Sequence, residues 1–270
     1  MPRFLFWNLE GKELQHLVAE LAEEHSVDLI VLSECATPST TMLLQLNATH
    51  VQYEFCPTRL CPSITFFVAF QANFLTPVLE SARVSIRRLT LPARSEILVA
   101  AAHLPSRMHF SADSMIFECA NLAKMIEQSE QECGHAKTIL LGDLNVNPFE
   151  IGMVGTGGLH AVMSRDVASR GSRTVQSREY DFFYNPMWAR FGDQESGAPG
   201  TYYYDKAEHV TYFWNMFDQV LVRPSLLDGL DFESVRILTS VGGVSLLGPG
   251  GKPDRSVGSD HLPVLAELEF

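Results

Sequence analysis

The chain has 270 residues, of which 46% are hydrophobic and 19% charged, and its formal net charge at pH 7 is −12. This charge disfavours tight, non-specific coating of duplex DNA, because proteins that grip many phosphates are usually basic. No apolar run approaches the roughly 18 residues of a membrane-spanning helix, so the sequence predicts no membrane span.

The first half of the sequence predicts a β-α-β opening followed by an antiparallel run of strands. Residues 3–8 and 28–34 are apolar enough for buried strands, and apolar residues recur at helical spacing over 12–25. If the two strands are parallel neighbours, Asn8 and Glu34 lie at the same edge of the sheet. The next elements are a helix at 38–47 and strands at 64–70, 78–87 and 96–104.

The second half begins with a helix over 111–133, whose apolar residues form one stripe. A short buried strand over 139–141 follows, and Pro148 ends any continuation of it. Strands are predicted at 211–222, 232–239 and 262–270, and a Gly/Pro-rich loop at 242–258. The chain has no internal repeat and no linker that divides it, so a two-sheet layered arrangement is expected.

The N-terminus and the cysteines indicate a cytoplasmic protein. The first eight residues read as a strand and lack the charged, apolar and cleavage regions of a signal peptide. The five cysteines are odd in number and contain no C-x-x-C motif, which argues against a disulfide scaffold or a zinc site. We therefore expect reduced thiols and a cytoplasmic localisation.

Polar residues occur at the ends of several apolar strands. The stretch from Thr138 to Asn145 is the clearest case, because Asp143 and Asn145 are two apart and share a face in an extended chain. One such carboxylate is usually a turn former, but six such sites at strand ends predict convergence. Oxygen ligands without thiolates indicate Mg²⁺ or Mn²⁺. The set comprises Asn8, Glu10, Glu34, His103, Asp143, Asn145, Asp218, Asp260 and His261.

Six segments in this order resemble the endonuclease/exonuclease/phosphatase superfamily. They are WNLEG, DLIVLSE, AAHL, GDLN, FDQVLV and SDHLPV. Each segment alone is weak, but the ordered set is specific and runs from residue 4 to residue 270, with only the middle section unmatched. The resemblance implies a single domain over 1–270 with an α/β fold. That fold is a four-layer α/β sandwich, in which two mixed β-sheets pack face to face with helices outside.

The resemblance also implies a divalent-metal site. Asn8 and Glu34 would belong to it, with Glu34 as the direct ligand of Mg²⁺ or Mn²⁺. Glu10 stands where relatives often have an aspartate and would be a second metal contact. Asp260 would contact the metal or position the neighbouring histidine.

The remaining matched residues would perform an in-line attack of water on phosphorus. Asp143 and Asn145 would orient the nucleophile and hold the phosphate. Asp218 would pair with His261, which accepts the proton of the water. His103, with Asn145 and the metal, would stabilise charge on the phosphoryl oxygens or the leaving group.

The first histidine favours one branch of the superfamily. His103 lies in Ala-Ala-His-Leu, which resembles the two-histidine sites of deoxyribonuclease I and the sphingomyelinases. The exonuclease III branch places Tyr and Asn after the corresponding strand, and residues 105–110 lack that pattern. A deoxyribonuclease-like site would give His103 an acidic partner, for which Glu54, Glu80 and Glu96 remain open alternatives.

The substrate expected from these features is nucleic acid, and the favoured function is that of a nuclease. Arg165, Arg170 and Arg173 lie in the densest basic stretch and are candidates for binding substrate phosphates. The aromatic-rich segment over 180–217 would either pack in the core or stack bases beside the site. The alternative is a phosphatase or phosphodiesterase for a small phosphorylated molecule, which the charge of −12 supports. A third alternative is an inactive binding module.

Overall fold

The computed structural model describes residues 1–48, 50–106, 110–193, 197–207 and 209–270. The α-helices are α1 (Gln15–Glu24), α2 (Ser39–Leu46), α3 (Ala112–Cys133), α4 (Ile151–Val154) and α5 (Arg165–Ala168). The strands are β1 (Arg3–Asn8), β2 (Leu29–Ser33), β3 (Glu54–Cys56), β4 (Ile64–Val68), β5 (Leu75–Glu80), β6 (Val84–Leu89), β7 (Ile97–His103), β8 (Thr138–Asp143), β9 (Ala161–Val162), β10 (Ser172–Val175), β11 (Arg178–Asp181), β12 (Phe183–Tyr184), β13 (Tyr202–Tyr204), β14 (Phe213–Asn215), β15 (Asp218–Val222), β16 (Leu230–Ile237), β17 (Ser240–Val241), β18 (Val244–Ser245) and β19 (Val264–Leu268). Short 3₁₀ helices span Ala72–Phe74, Pro186–Arg190 and Pro224–Gly229.

Most of the strands belong to two large mixed sheets. The first has six strands in the order β16-β19-β1-β2-β4-β3, and the second has seven in the order β5-β6-β7-β8-β15-β12-β9. The predicted β-α-β opening is confirmed, because β1 and β2 are parallel neighbours. The predicted antiparallel run over 64–104 is correct only in part. β5, β6 and β7 pair antiparallel, but the strand predicted at 64–70 is β4, which pairs with β2 and β3 in the six-stranded sheet. β7 then pairs in parallel with β8.

Alternating side chains show that the sheets pack face to face with helices outside. In β1, Phe4 and Phe6 belong to the core between the two sheets, whereas Leu5 and Trp7 pack with the apolar face of α1. In β8, Leu141 faces the other sheet and the neighbouring Leu140 packs with α3. The period of two along each strand therefore supplies two buried faces per sheet. This arrangement confirms the expected four-layer α/β sandwich.

Two predicted strands are each divided in the structure. The segment 78–87 was expected to be continuous, but β5 and β6 form a hairpin that turns at Ser81, whose N–H donates to the Val84 carbonyl. The segment 211–222 divides into β14, which pairs with β13, and β15, which lies in the seven-stranded sheet. The break occurs where the Met216 N–H donates to the side chain of Asn147. Tertiary hydrogen bonds outside the strand thus interrupt an apolar run.

Gly142 of β8 pairs with Ala102 of the neighbouring strand β7. A Cβ atom at this position would lie 2.1 Å from the carbonyl oxygen of Ala102 and 3.0 Å from its nitrogen. We expect Gly142→Ala to lower the free energy of unfolding by about 1–3 kcal/mol or more, because two paired backbones would have to separate. Denaturant unfolding would measure the loss.

Gly157 provides the matched control for Gly142→Ala. It has open space around the position of a Cβ atom. Gly157→Ala should therefore change the free energy of unfolding by no more than about 0.5 kcal/mol. Equal stabilities of the two variants would contradict the close approach of β7 and β8.

The described helices also bear on the membrane prediction. None of them combines the length and the apolar character that crossing a bilayer requires.

Candidate active site

The ends of strands from both sheets meet at one edge of the sandwich. Asn8 ends β1 in the six-stranded sheet, whereas Asp143 ends β8 in the seven-stranded sheet. Asp143 is in register with His103 of β7 on one side and with Asp218 of β15 on the other. Strand pairing therefore brings an imidazole and two carboxylates together. His261, in the segment that leads into β19, completes the group.

Asp143 lies at the centre of this group and is 1% exposed. Its Oδ1 accepts the main-chain N–H of Asn145 at 3.0 Å, and its Oδ2 accepts the side-chain amide of Asn8 at 3.0 Å. The same Oδ2 lies 3.8 Å from His103 Nε2 and 3.9 Å from His261 Nε2. One carboxylate thus lies beside residues from both sheets. We call this group and its immediate neighbours the Asp143 cluster, which comprises Asn8, Glu34, His103, Asp143, Asn145, Asp218, Asp260 and His261.

Asp218 and His261 form a buried pair within the Asp143 cluster. His261 Nδ1 lies 2.8 Å from Asp218 Oδ2, and Asp218 is completely buried. Burial disfavours the charged imidazole, but the carboxylates of Asp218, Asp143 and Asp260 outweigh burial and raise the pKa of His261 to about 10. The contact fixes Nδ1 against Asp218, so Nε2 is the nitrogen that faces the remaining carboxylates.

Glu34 and His103 form the other side of the Asp143 cluster. His103 Nε2 lies 3.3 Å from Glu34 Oε1, and this contact lowers the pKa of Glu34 although burial opposes the shift. The Glu34 side chain keeps 44% of its surface exposed, so it can reach a ligand from solvent. The buried His103 Nδ1 has no hydrogen-bond partner among the described residues.

The three open alternatives for the acidic partner of His103 all contact other groups. Glu54 accepts the main-chain N–H of Ala72, and Glu80 pairs with Arg87. Glu96 pairs with Arg88 and His135. Glu34 and Asp143 are instead the carboxylates that lie beside His103. The sequence does not reveal this, because the contact of Glu34 with His103 depends on how the two sheets pack together.

Three of the residues predicted for the site adopt left-handed backbone conformations just after the strands that carry the site. The φ angles are 56° for Glu10, 48° for Glu34 and 51° for Asn145. Such angles are uncommon for residues other than glycine, although asparagine tolerates them best. They turn the chain sharply beyond β1, β2 and β8. The side chain of Asn145 consequently points back to donate to the Leu104 carbonyl at 2.9 Å.

Glu10 lies next to the Asp143 cluster, but its carboxylate forms ion pairs with two cationic side chains. Its Oε2 is 2.8 Å from Lys12 Nζ and accepts the main-chain N–H of Asp260 at 3.0 Å. Its Oε1 forms an ion pair with Arg255. These contacts hold the loop before Asp260 against β1. They do not support the predicted second metal contact at Glu10, so we leave Glu10 out of the site proposed below.

Asp260 is at the rim of the Asp143 cluster. Its Oδ1 lies 4.0 Å from His261 Nε2, and its side chain is 24% exposed. Both of the roles expected from the sequence, metal contact and positioning of His261, are compatible with this place.

The predicted phosphate-binding arginines lie elsewhere in the fold. Arg165 donates to carbonyl groups within and just beyond the 3₁₀ helix at Pro224–Gly229, which follows the end of β15 opposite Asp218. Arg170 pairs with Asp166 on the surface, and Arg173 is an exposed residue of the β10–β11 hairpin. The structure therefore does not bring these three arginines to the Asp143 cluster.

The sequence did not associate two residues with the Asp218–His261 pair that contact and support it. The buried Thr201 accepts the main-chain N–H groups of Phe217 and Asp218 at 3.2 and 3.1 Å, and its own carbonyl accepts the N–H of Leu262. The Tyr202 ring lies 4.6 Å from the His261 ring. No spacing in the sequence marks these residues, because β13 reaches the site only through tertiary pairing. Residues 107–109 belong to the stretch 105–110, which lacks the Tyr and Asn of the exonuclease III branch, and they lie outside the described residues.

Comparison with solved structures agrees with this fold. A truncated TDP2 of Caenorhabditis elegans matches with a TM-score of 0.60 at 13% identity, covering 100% of this chain and 98% of that chain. The endonuclease domain of TRAS1, a telomere-specific non-LTR retrotransposon, matches with a TM-score of 0.55 at 14% identity, covering 100% and 99%. An endonuclease/exonuclease/phosphatase family protein from Bacteroides thetaiotaomicron matches with a TM-score of 0.60 at 14% identity, covering 100% and 97%.

The sequence comparisons add no closer relative. No family model matches the chain, and no curated protein matches it. The structural matches nevertheless confirm the resemblance expected from the six sequence segments at the level of the fold. The chain has the fold of the endonuclease/exonuclease/phosphatase superfamily.

Proposed function

We propose that this chain is a divalent-metal-dependent phosphodiesterase that acts on nucleic acid. The observation that carries the proposal is the Asp143 cluster. It places a buried Asp218–His261 pair, a second imidazole and further carboxylates around one central aspartate. Such a constellation suits general base catalysis beside a cation-binding site.

The residues of the Asp143 cluster fit a hard divalent cation. Glu34, Asp143, Asp218 and Asp260 supply carboxylate oxygens, and no thiolate belongs to the cluster. Asp143, Asp218 and His261 could hold an ion by distance alone, since their ligand atoms lie within 4.8 Å of one another. Asp218 is already committed to His261, however. We therefore assign the cation to Glu34 and the neighbouring Asn8, whose side-chain amide lies 3.4 Å from Glu34 Oε1. Asp260 would contact the cation from the rim, and Mg²⁺ or Mn²⁺ would neutralise charge on the phosphoryl oxygens.

His261 is the proposed general base. Asp218 holds its Nδ1, which leaves Nε2 to accept a proton from a water molecule in line with the scissile bond. Nε2 lies 3.9 Å from Asp143 Oδ2, so a water bonded to Nε2 can also reach Asp143. A bound cation that neutralised the charges of Asp143 and Asp260 would lower the pKa of His261. The imidazole would then be neutral, as a general base requires.

The side of the cluster that holds His103, across from His261, would bind the phosphate and the leaving group next to the cation. His103 Nε2, close to Glu34 and Asp143, is placed to donate to a phosphoryl or leaving-group oxygen. Asn145 is fixed by hydrogen bonds at both its backbone and its side chain, which suits a positioned phosphate contact. We leave Arg165, Arg170 and Arg173 out of this proposed site. Arg165 is bound at the other end of the sheet, and the contacts of Arg170 and Arg173 are with neighbouring residues of their own segment.

Nucleic acid is the substrate class that we favour. One of the similar structures is the endonuclease domain of a retrotransposon, and aromatic side chains from the segment 180–217 line a pocket beside the cluster. The second candidate is a small phosphorylated molecule. The net charge of −12 favours it, because a small substrate needs only a local binding site.

The proposal predicts metal-dependent cleavage of phosphodiester bonds. The purified protein with Mg²⁺ or Mn²⁺ should cleave single-stranded DNA, RNA or plasmid, as read from gels of labelled substrates. Chelation with EDTA should abolish the cleavage, and added Mg²⁺ should restore it, because the carboxylates lose their neutralising cation.

A parallel panel of inositol phosphates, phospholipid headgroups and signalling nucleotides separates the two candidates. Phosphate release from this panel without cleavage of nucleic acid would replace the favoured substrate class with the second one. Cleavage that persists in EDTA would contradict the metal-dependent proposal itself. Substituting Arg170 with alanine supplies a control protein that should behave as wild type.

A further inference from the structure

A pocket of about 440 Å³ opens next to the Asp143 cluster. Asn145 of the cluster forms part of its wall, and Tyr202, Tyr204, Tyr212 and Phe217 form much of the rest. The volume falls within the range that small ligands occupy in proteins. A group attached to a phosphate at the cluster would therefore enter this pocket directly.

The walls of the pocket are aromatic rings held by other rings. Tyr202 stacks on Phe217 with centroids 5.4 Å apart and an interplanar angle of 25°, and its ring also lies 4.6 Å from that of His261. Tyr212 packs edge-on against Phe149 at 5.2 Å. Tyr204 and Tyr212 keep 37% and 49% of their surfaces exposed, so they can accept a further flat ring. This arrangement suits a planar aromatic group.

The two asparagine side chains and the threonine of the pocket already bond to the protein. The Asn145 amide donates to the Leu104 carbonyl, and the Asn215 side-chain oxygen accepts from Asn147 at 2.9 Å. The Thr211 hydroxyl donates to the Tyr204 carbonyl at 3.1 Å. Among the described residues that line the pocket, none has a charged side chain. The pocket is thus suited to an uncharged ring and offers few free groups to read the edge of a base.

We infer that this pocket takes one unpaired nucleobase next to the scissile phosphate, with little preference for base identity. The inference rests on the proposed function and specifies its substrate as single-stranded. A base within a duplex is paired and stacked, so it cannot enter a pocket of this kind without being flipped out. Stacking on aromatic side chains is tolerant of base identity, because every base presents a flat face.

The test compares single-stranded oligothymidylate and oligodeoxyadenylate with the duplex that they form together, in Mg²⁺. Wild type should cleave both single strands at similar rates and the duplex much more slowly. Tyr204→Ala with Tyr212→Ala should raise KM for the single strands by roughly 5- to 100-fold, the loss expected for stacking contacts. Tyr212→Phe should retain the wild-type KM, since stacking needs the ring and not the hydroxyl.

Tyr180→Ala is the matched control, because Tyr180 is a partly buried tyrosine of the β11 strand, in the hairpin away from the cluster. It should leave KM unchanged. Equal cleavage of duplex and single strands, or an unchanged KM in the double variant, would overturn the inference while leaving a phosphodiesterase in place. Circular dichroism verifies that each variant is folded.

Failure of the proposed function gives a different pattern. In that case the wild type would hydrolyse neither oligonucleotides nor bis(p-nitrophenyl) phosphate in Mg²⁺. Fluorescence anisotropy with labelled oligothymidylate would then decide the pocket separately. Binding by wild type that weakens in the double tyrosine variant but not in Tyr180→Ala would support the pocket, and equal binding by all three would exclude it.

Discussion

Replacing His261 with glutamine should lower kcat by about 10²- to 10⁴-fold, the usual contribution of a general base. The amide can still donate to Asp218, which is completely buried and would otherwise lose its hydrogen-bond partner. It cannot accept a proton from water as the imidazole does, so the loss should fall on kcat rather than on folding. Steady-state kinetics with bis(p-nitrophenyl) phosphate and thermal unfolding of the same preparation would measure both.

His135→Gln is the matched control for His261→Gln. His135 also contacts a carboxylate, at 3.2 Å from Glu96, but it precedes β8 and lies at the end of that strand away from Asp143. Its replacement should leave kcat within about twofold of wild type, since surface substitutions away from the site seldom act on the chemistry. A kcat within tenfold of wild type for His261→Gln would remove His261 from the role of base.

Asp143→Asn should reduce kcat/KM by at least about 10²-fold and weaken Mg²⁺ binding by about 10- to 100-fold. Asp143 contacts both sides of the cluster, so the neutral amide changes the charge felt by Asn8, His103 and His261 together. Without Mg²⁺ the variant should be less stable than wild type by about 1–3 kcal/mol, because both oxygens of Asp143 accept N–H groups and an amide can accept with only one. Kinetics, calorimetric titration with Mg²⁺ and thermal unfolding cover the three expectations.

Asp166→Asn serves as the control for Asp143→Asn. Asp166 is an exposed carboxylate that pairs with Arg170 on the surface. Its loss should change neither Mg²⁺ affinity nor kcat/KM. If Asp143→Asn bound Mg²⁺ as tightly as wild type and kept its activity, the central place that we give to Asp143 would be wrong.

The sequence predicted the fold where burial determines the pattern of residues. Strands β1, β2 and β8 are apolar on both faces because each is covered by the other sheet and by helices, and such runs are easily recognised. The division between β5 and β6 was not predictable from this pattern. The turn at Ser81 contains neither glycine nor proline, so neither of the strongest turn-forming residues marks it in the sequence.

The candidate site was predictable to the extent that it lies on strand ends. Asn8, Asp143 and Asp218 follow from strand register once neighbouring strands are known. Properties that depend on tertiary contacts were not predictable. The ion pair of Glu10 with Arg255, for example, joins segments more than 240 residues apart.

The position of Arg165, Arg170 and Arg173 in the fold was also not predictable from the sequence. Their density along the sequence suggested a phosphate-binding surface, but local charge density carries no information about which end of a sheet a loop occupies. The contacts of Arg165 with the segment after β15 place that loop away from the cluster. Arginines that are close together along the sequence therefore need not lie near the site in the folded chain.

The bonds that join the two sheets at the Asp143 cluster would make the proposed catalysis depend on how the side chains between the sheets fill the interior. Asn8 and His261 belong to segments of one sheet, while their partners Asp143 and Asp218 belong to the other. A displacement of one sheet relative to the other by about 1 Å would disturb both contacts at once, and errors of that size can cost about 10²-fold in rate. Buried residues such as Phe6 and Leu141, which separate the sheets, therefore set the alignment of the reacting groups without touching them. Substitutions that change the size of the side chains between the sheets would therefore alter kcat even where every residue of the Asp143 cluster is retained.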